Sequence, residues 1–353
     1  MKILVTGCGG FIGSHVSEYL LNRGDVVIGI DNLNDYYDIN LKIKNINLLN
    51  NFNNFKFYKE NVLNSHVISQ TKPDKICHLA SMAGVRYSIK NPCIYVRENI
   101  EAFIYLLEEA IKNNVKHIVY ASSSSVYGLN TKIPFNEEDI IEKCNSPYAC
   151  SKKSMEIFAK TYYQLHNISN IGLRFFTVYG PRGRPDMAPY KFLNAIINNK
   201  EFDKYGDGNT FRDYTYIDDI VSGVISSIDN INNLQCEIIN LGNSKKITLN
   251  EFISSCEKVT KKKAKFNKCE NQMGDVPGTC ADISKAIKLL NYKPKIDLLK
   301  GLEITYDYIN NIKEDEFCQL GDCSKPECHN CFPIKNCTKH DICIKEGFCD
   351  PIN

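Results

Sequence analysis

Along the first 180 positions, apolar residues come in short β-prone runs separated by stretches of helical spacing. Lys2–Thr6, Val26–Ile30, Phe55–Tyr58, Lys75–Leu79, His117–Ala121 and Ile171–Phe175 read as strands. Helical patterns lead from Gly13 to Leu21, cover Tyr95–Asn113, and begin again after Pro147. Strands alternating with helices predict an α/β fold with a parallel, doubly wound sheet. From Pro181 the rhythm changes. Loops lengthen, and short strands such as Glu237–Asn240 fall among helices. The pattern predicts three parts: a sheet domain over 1–180, a smaller substrate domain over 181–314 interleaved with the end of the sheet, and a tail over 315–353.

The turn between the first strand and the first helix reads Gly7-Cys8-Gly9-Gly10-Phe11-Ile12-Gly13, and the second strand ends at Asp31. Gly7 allows a tight turn, Gly10 lets backbone approach a pyrophosphate at the helix N-terminus, and Gly13 lets helix pack close to strand. Asp31 is placed to bond ribose hydroxyls, and its charge would repel a 2′-phosphate, which favours NAD over NADP. The sheet domain is therefore expected to be a Rossmann-type dinucleotide-binding domain.

In such sheets chemistry belongs at the carboxyl ends of the strands. The polar clusters fall there: His78–Ser81, Ser122–Ser125 and Thr177–Gly180. Tyr148 and Lys152 share one face of the helix that follows Pro147. An ammonium beside a phenol lowers a tyrosine pKa of about 10 and makes a base for a sugar hydroxyl. The plainer readings are a surface Tyr with a neighbouring Lys, and a polar serine loop.

Composition narrows the class without changing the fold. The chain has 353 residues, 43% hydrophobic and 24% charged, with a net charge of +2, so nothing points to nucleic acid or an anionic membrane as partner. No signal h-region and no transmembrane run is expected. Sixteen cysteines are present, seven of them between Cys318 and Cys349. The body reads as cytoplasmic with free thiols.

With these residues in view, the chain resembles the extended short-chain dehydrogenase/reductase superfamily. Within it, the chain is most similar to the UDP-glucuronate 4-epimerases. The superfamily resemblance rests on the glycines, the serine cluster and Tyr148/Lys152. The narrower one rests on Asp31–Asp38, Ala83–Ser88, Gly172–Pro181, Gly183–Ala188, Arg212–Asp219 and Gly274–Pro277. The resemblance implies an NAD-dependent isomerase that oxidises C4 of a UDP-sugar transiently, with Tyr148 as base, Lys152 on the nicotinamide ribose and Ser123 relaying the O4 proton. NAD contacts are expected from Gly7, Gly10, Phe11, Ile12, Gly13, Asp31, Asn32, Asn61, Val62, Leu79, Ala80, Asn99, Ser122, Tyr148, Lys152 and Phe176. Asn61 stands where relatives carry an Asp, and its carbonyl is expected to take the adenine amino group.

A uronate substrate adds a hazard, because its 4-keto form is a β-keto acid. Thr177, Arg184, Ser124 and Ser125 are candidates to hold the carboxylate, with Arg184 able to grip it bidentately and Arg86 in reserve. Arg212 is expected at the diphosphate and Asp275 at the uridine ribose. The related 4,6-dehydratases carry Asp-Glu where Ser124 and Ser125 stand. UDP-glucuronate decarboxylases carry Glu at Ser125 and Asn at Thr177, and UDP-galactose 4-epimerases carry Asn at Thr177. Those departures favour the uronate epimerase and leave a UDP-glucose/UDP-galactose (or N-acetyl) 4-epimerase as the alternative. A non-catalytic sensor of NAD and nucleotide sugars, with an interaction tail, is the alternative outside enzymes. The resemblance also implies a homodimer.

No metal is expected at the catalytic site. In the tail, Cys328 and Cys331 have close metal-ligand spacing, but no second such pair completes a zinc site. A zinc module, a disulfide-bonded segment and an interaction tail all stay open.

Overall fold

The computed structural model describes residues 1–141, 143–270 and 276–319, with side chains through residue 311. Six strands of the first half are β1 (Lys2–Thr6), β2 (Val26–Ile30), β3 (Phe55–Tyr58), β4 (Lys75–His78), β5 (His117–Ser123) and β6 (Ser169–Phe175). A seventh strand, Cys236–Leu241, comes from the second half and pairs with β6. The sheet runs in the order Cys236–Leu241, β6, β5, β4, β1, β2, β3, and every pairing is parallel.

Alternation along each strand builds a core on both faces. Ile3 and Val5 pack into one cluster with Val16, Leu20, Ile217 and Ile220. Leu4, one residue out of phase, joins Phe103, Leu106, Met155 and Ala159 on the other face. Helices Phe11–Asn22 (α1) and Ile217–Leu234 therefore cover one side. Helices Ala102–Lys112 and Pro147–His166 cover the other. From β1 the sheet is built outward in both directions, so a crevice opens between β1 and β4 at their carboxyl ends.

The register aligns those ends: Thr6 sits opposite both Ile30 and His78, and Ser123 opposite Phe175. The segment expected as one helix over Tyr95–Asn113 starts earlier and is uneven. A short α-turn at Pro92–Tyr95 widens into a π-helix over Val96–Glu101 before Ala102–Lys112. π-turns of this kind accompany sites where a side chain must be aimed out of helical phase, and Asn99 sits inside this one.

Beyond residue 176 the strands are short. Thr177–Tyr179 pairs with Tyr214–Tyr216, Glu201–Tyr205 with Lys265–Cys269, and Phe211–Arg212 with Ile247–Thr248. Buried Asp213 ties these pieces together. Its carboxylate accepts from the backbone N–H of Asn243 (2.7 Å), Ser244 (2.9 Å) and Ala281 (3.1 Å), and from the Thr215 hydroxyl (3.0 Å). The last described helix, Leu298–Gln319, runs past Asp315. The tail boundary expected there thus falls inside a helix. Cys328 and Cys331 lie outside the described residues.

Candidate active site

One deep cavity opens at the carboxyl ends of β1, β2, β4 and β5. Its wall includes Gly7, Gly10, Phe11, Ile12, Gly13, Asp31, Asn32, Asn61, Val62, Leu79, Ala80, Ser122–Ser125, Tyr148, Lys152, Phe176, Thr177 and Arg184. Most of the expected site is therefore gathered in one place.

The glycine turn fits a dinucleotide diphosphate. Gly7 has φ +71°, and a Cβ there would lie 2.7 Å from the Ala80 nitrogen. A Cβ on Gly13 would collide with the Gly7 carbonyl. Helix α1 begins at Phe11 with no side-chain cap and no acid in its first turn. Its first N–H groups, together with the positive end of the helix dipole, face the cavity as an anion cradle. Asp31 accepts from the Gly9 N–H (3.0 Å) and the Leu33 N–H (2.8 Å). Burial raises its pKa, while those N–H groups and Lys42 pull it down. Each oxygen keeps a lone pair for a ribose hydroxyl.

Three expectations for cofactor contacts change. The Asn61 carbonyl oxygen caps the turn that follows by accepting from the Leu63 N–H (2.9 Å), and its amide donates to Glu98 (2.9 Å). Part of its acceptor capacity is thus spent, and Glu98 brings a carboxylate to that end of the cavity. Asn99 is fully buried behind the wall rather than lining it. It accepts from the Met82 N–H (2.8 Å) and the Ser81 hydroxyl (3.0 Å), and donates to the Met82 carbonyl (3.0 Å) and Ser151 (2.9 Å). It braces the loop after β4 against the helix bearing Tyr148. Ser122 lends backbone to the wall, but its hydroxyl donates to Glu156 (2.6 Å) in a buried cluster where Arg174 grips the same carboxylate twice (2.8 and 2.9 Å).

Tyr148 and Lys152 stand one turn apart on Pro147–His166, whose N-cap Ser146 accepts from the Ala149 N–H. The expected lowering of the Tyr148 pKa by Lys152 is not what the geometry delivers. Lys152, 2% exposed as a residue, donates through Nζ to the Ala121 carbonyl at 2.7 Å. Burial pulls its pKa down to about 7, against some support from Glu156, so near neutrality it is only partly charged. Burial also raises the Tyr148 phenol; the Ser123 hydroxyl, hydrogen-bonded to it, and the Arg184 cation pull it down. Ser123 Oγ in turn accepts from the Ser125 N–H (3.1 Å). His78 is no acid–base group here: burial drives its pKa to about 3, and the neutral ring stacks on Phe103 while sharing a hydrogen bond with Thr6.

On the opposite wall Arg184 meets Asp186 through Nε (3.0 Å) and Nη2 (2.6 Å) and lies over the Tyr36 ring. Arg86 and Arg212 do not line this cavity. Arg86 sits over the Tyr205 ring at 4.9 Å, and Arg212 donates to the Phe211 carbonyl. Asp275 lies outside the described residues. The sequence reading did not single out Tyr36, Asp186 or Glu98. The first two lie in strings already noted, Asp31–Asp38 and Gly183–Ala188, but only the fold brings those strings together.

This site can be set against known proteins. The family model described as GDP-mannose 4,6 dehydratase matches residues 4–305. The chain belongs to this family, within the extended short-chain dehydrogenases/reductases. Among family members, a UDP-glucuronate 4-epimerase of Thermodesulfobacterium geofontis is 43% identical over 86% of this chain and 95% of its own. The structure of UDP-glucuronic acid 4-epimerase from Bacillus cereus, in complex with UDP-glucuronic acid and NAD, superposes with a TM-score of 0.83 at 37% identity, covering 88% of this chain and 100% of that one. UDP-glucose 4-epimerase of Thermotoga maritima, with UDP-glucose, gives 0.81 at 30% identity, covering 89% and 100%. The family takes its description from a dehydratase, yet this member has Ser124 and Ser125 where the dehydratases resembled by sequence carry Asp-Glu.

Proposed function

We propose that the chain is an NAD-dependent UDP-sugar 4-epimerase whose substrate is UDP-glucuronate and whose product is UDP-galacturonate. The observation that carries the reading is the placement of Arg184, Ser124, Ser125 and Thr177 around one cavity with Tyr148. That arrangement supports a role for these groups in holding a carboxylate beside Tyr148.

NAD, when bound in the glycine cradle, supplies the acceptor for the C4 hydride and the donor that returns it to the other face. The chain's own residues manage protons and orientation. Tyr148 takes the O4 proton, with Ser123 as relay, while the C4–H bond breaks and C4=O forms. Reversal on the opposite face restores O–H and C–H with inverted configuration. Lys152, on the cavity wall, is our candidate to hold a ribose hydroxyl of the cofactor, and a ligand oxygen there would favour its charged form. The 4-keto uronate loses carbon dioxide when its C5–C6 bond lies along the ketone π orbital. Arg184, Ser124, Ser125 and Thr177 restrain that rotation. Ser124 and Ser125 bring no acid for β-elimination, which speaks against dehydration.

Arg212 remains our candidate for the diphosphate and Asp275 for the uridine ribose, with Arg86 in reserve. A homodimer is part of the proposal, supported by exposed Ile157 and Leu165 on Pro147–His166. So is a cytoplasmic location; among the described residues no helix is long and apolar enough to cross a membrane.

One observation favours a second reading, epimerisation of neutral UDP-hexoses: Asp186 already matches the Arg184 charge. The test is a product assay with UDP-glucuronate and UDP-glucose offered separately. UDP-galacturonate without carbon dioxide release supports the proposal. UDP-galactose from UDP-glucose alone supports the second reading, and a decarboxylated product overturns both. Tyr148→Phe should lower kcat by roughly a hundredfold or more in an enzyme that still binds NAD.

A further inference from the structure

We infer that Asp186, held by Tyr36, is the positioning residue that aims Arg184 at the carboxylate of a uronate. The inference rests on the carboxylate role proposed above for Arg184. Asp186 takes only one edge of the guanidinium, Nε and Nη2. A guanidinium is a rigid fork with donors on two edges. Fixing the side edge sets the direction of the end edge at Nη1, where no described residue accepts.

Tyr36 fixes the rest. Its ring lies 5.3 Å beneath the guanidinium carbon, and its hydroxyl donates to Asp186 at 3.3 Å. The ring is seated against Tyr87 and over Gly84, where a Cβ would come within 2.6 Å of the hydroxyl oxygen. In the chain itself, the Met187 N–H closes a turn onto the Arg184 carbonyl at 3.2 Å, which holds Arg184 and Asp186 on one tight bend. A long arginine left loose could follow a carboxylate as it swings; one pinned on face and side cannot. Holding the acid out of line with the ketone requires the pinned kind. A neutral hexose would make no use of this arrangement and would leave the Arg184–Asp186 pair as it is.

The test compares Asp186→Asn, Arg184→Gln, their double variant and Tyr36→Phe, each checked for an unchanged thermal midpoint. Three quantities are read: KM for UDP-glucuronate, Ki for UDP-glucose as competitor, and the fraction of product that has lost carbon dioxide. Asp186→Asn should raise KM for UDP-glucuronate about tenfold, the worth of one charge-assisted contact, and raise the decarboxylated fraction. Its Ki for UDP-glucose should stay at the wild-type value. Tyr36→Phe should move both uronate readouts in the same direction by less, and the double variant should be no worse than Arg184→Gln. Asp186→Glu should recover part of the loss. An Asp186→Asn enzyme with wild-type KM and partition, or with a lower KM because a competing acid has gone, overturns the inference while leaving the role of Arg184 standing. So does a parallel rise in Ki for UDP-glucose, which marks a merely structural loss. If Arg184→Gln itself keeps wild-type KM and partition, the carboxylate reading fails and the inference with it.

Discussion

Replacing Lys152 by Met should make the ligand-free chain harder to unfold, by an amount that depends on pH. In the folded protein Nζ is shut away from water with the Ala121 carbonyl as its oxygen partner, and the pKa falls from 10.5 to about 7. A drop of that size means that holding the charged form costs the folded state about 4–5 kcal/mol at pH 6. Met has nearly the same length and no charge to desolvate. It leaves the Ala121 carbonyl without this donor, which costs about 1–3 kcal/mol, so the variant should lead by roughly 1–4 kcal/mol at pH 6.

Between about pH 7 and 10.5 the unfolded chain binds more protons than the folded one at this position, so wild-type stability rises with pH through that window. By pH 9 the lead of the variant should have shrunk by about 2–3 kcal/mol. Ionisable groups away from Lys152 are common to both proteins and cancel in the difference. Urea unfolding of ligand-free protein at pH 6, 7.5 and 9 measures it, with equal m-values as the condition for comparison. A gap that does not change with pH, or a variant less stable than wild type at pH 6, would refute the claim that a desolvated cation is stored here. Under the function proposed for Lys152, turnover by the variant should also be lost.

Glu156→Gln should cost about 3–5 kcal/mol, because it leaves buried Arg174 without its counter-charge; thermal unfolding reads it, and adding Arg174→Met should restore a good part. Gly13→Ala should abolish NAD binding and lower the thermal midpoint, because the new methyl group meets the Gly7 carbonyl; calorimetric titration with NAD measures the first effect. Glu98→Gln should weaken NAD binding severalfold if that carboxylate serves the adenine end of the cavity, and an unchanged Kd would remove it from the site.

Strands were the most legible part of the chain. β1 and β2 begin and end where the apolar runs do, since a strand buried on both faces needs a nearly unbroken apolar segment; β3, at the edge of the sheet, shows instead as an alternation of Phe55 and Phe57 with exposed Lys56. The glycine turn was legible for a similar reason: at Gly7 and Gly13 the backbone conformation or clearance excludes a side chain. What stayed hidden depends on partners far away in sequence. Asn99 is expected as a cofactor contact until Met82 and Ser151 are seen beside it. Asn61 reads as an adenine contact until the turn it caps and Glu98 are seen. The Tyr148/Lys152 spacing was readable, but spacing carries no information on burial. Burial decides that Ser123 and Arg184, rather than Lys152, moderate the phenol.

The strand Cys236–Leu241 completes an edge that the first half of the chain leaves open. On the ribosome, β6 is finished about sixty residues before its neighbour exists, a wait of several seconds at roughly 5–20 residues per second. During that interval Asn170–Phe175 presents an unpaired ladder of backbone donors and acceptors beside apolar side chains, the kind of edge that recruits stray strands. Synthesis therefore passes through a stage in which the nucleotide half is built but unsealed. A chain interrupted between residues 176 and 235 would be released in that state, as an aggregation-prone fragment and not as a smaller folded protein.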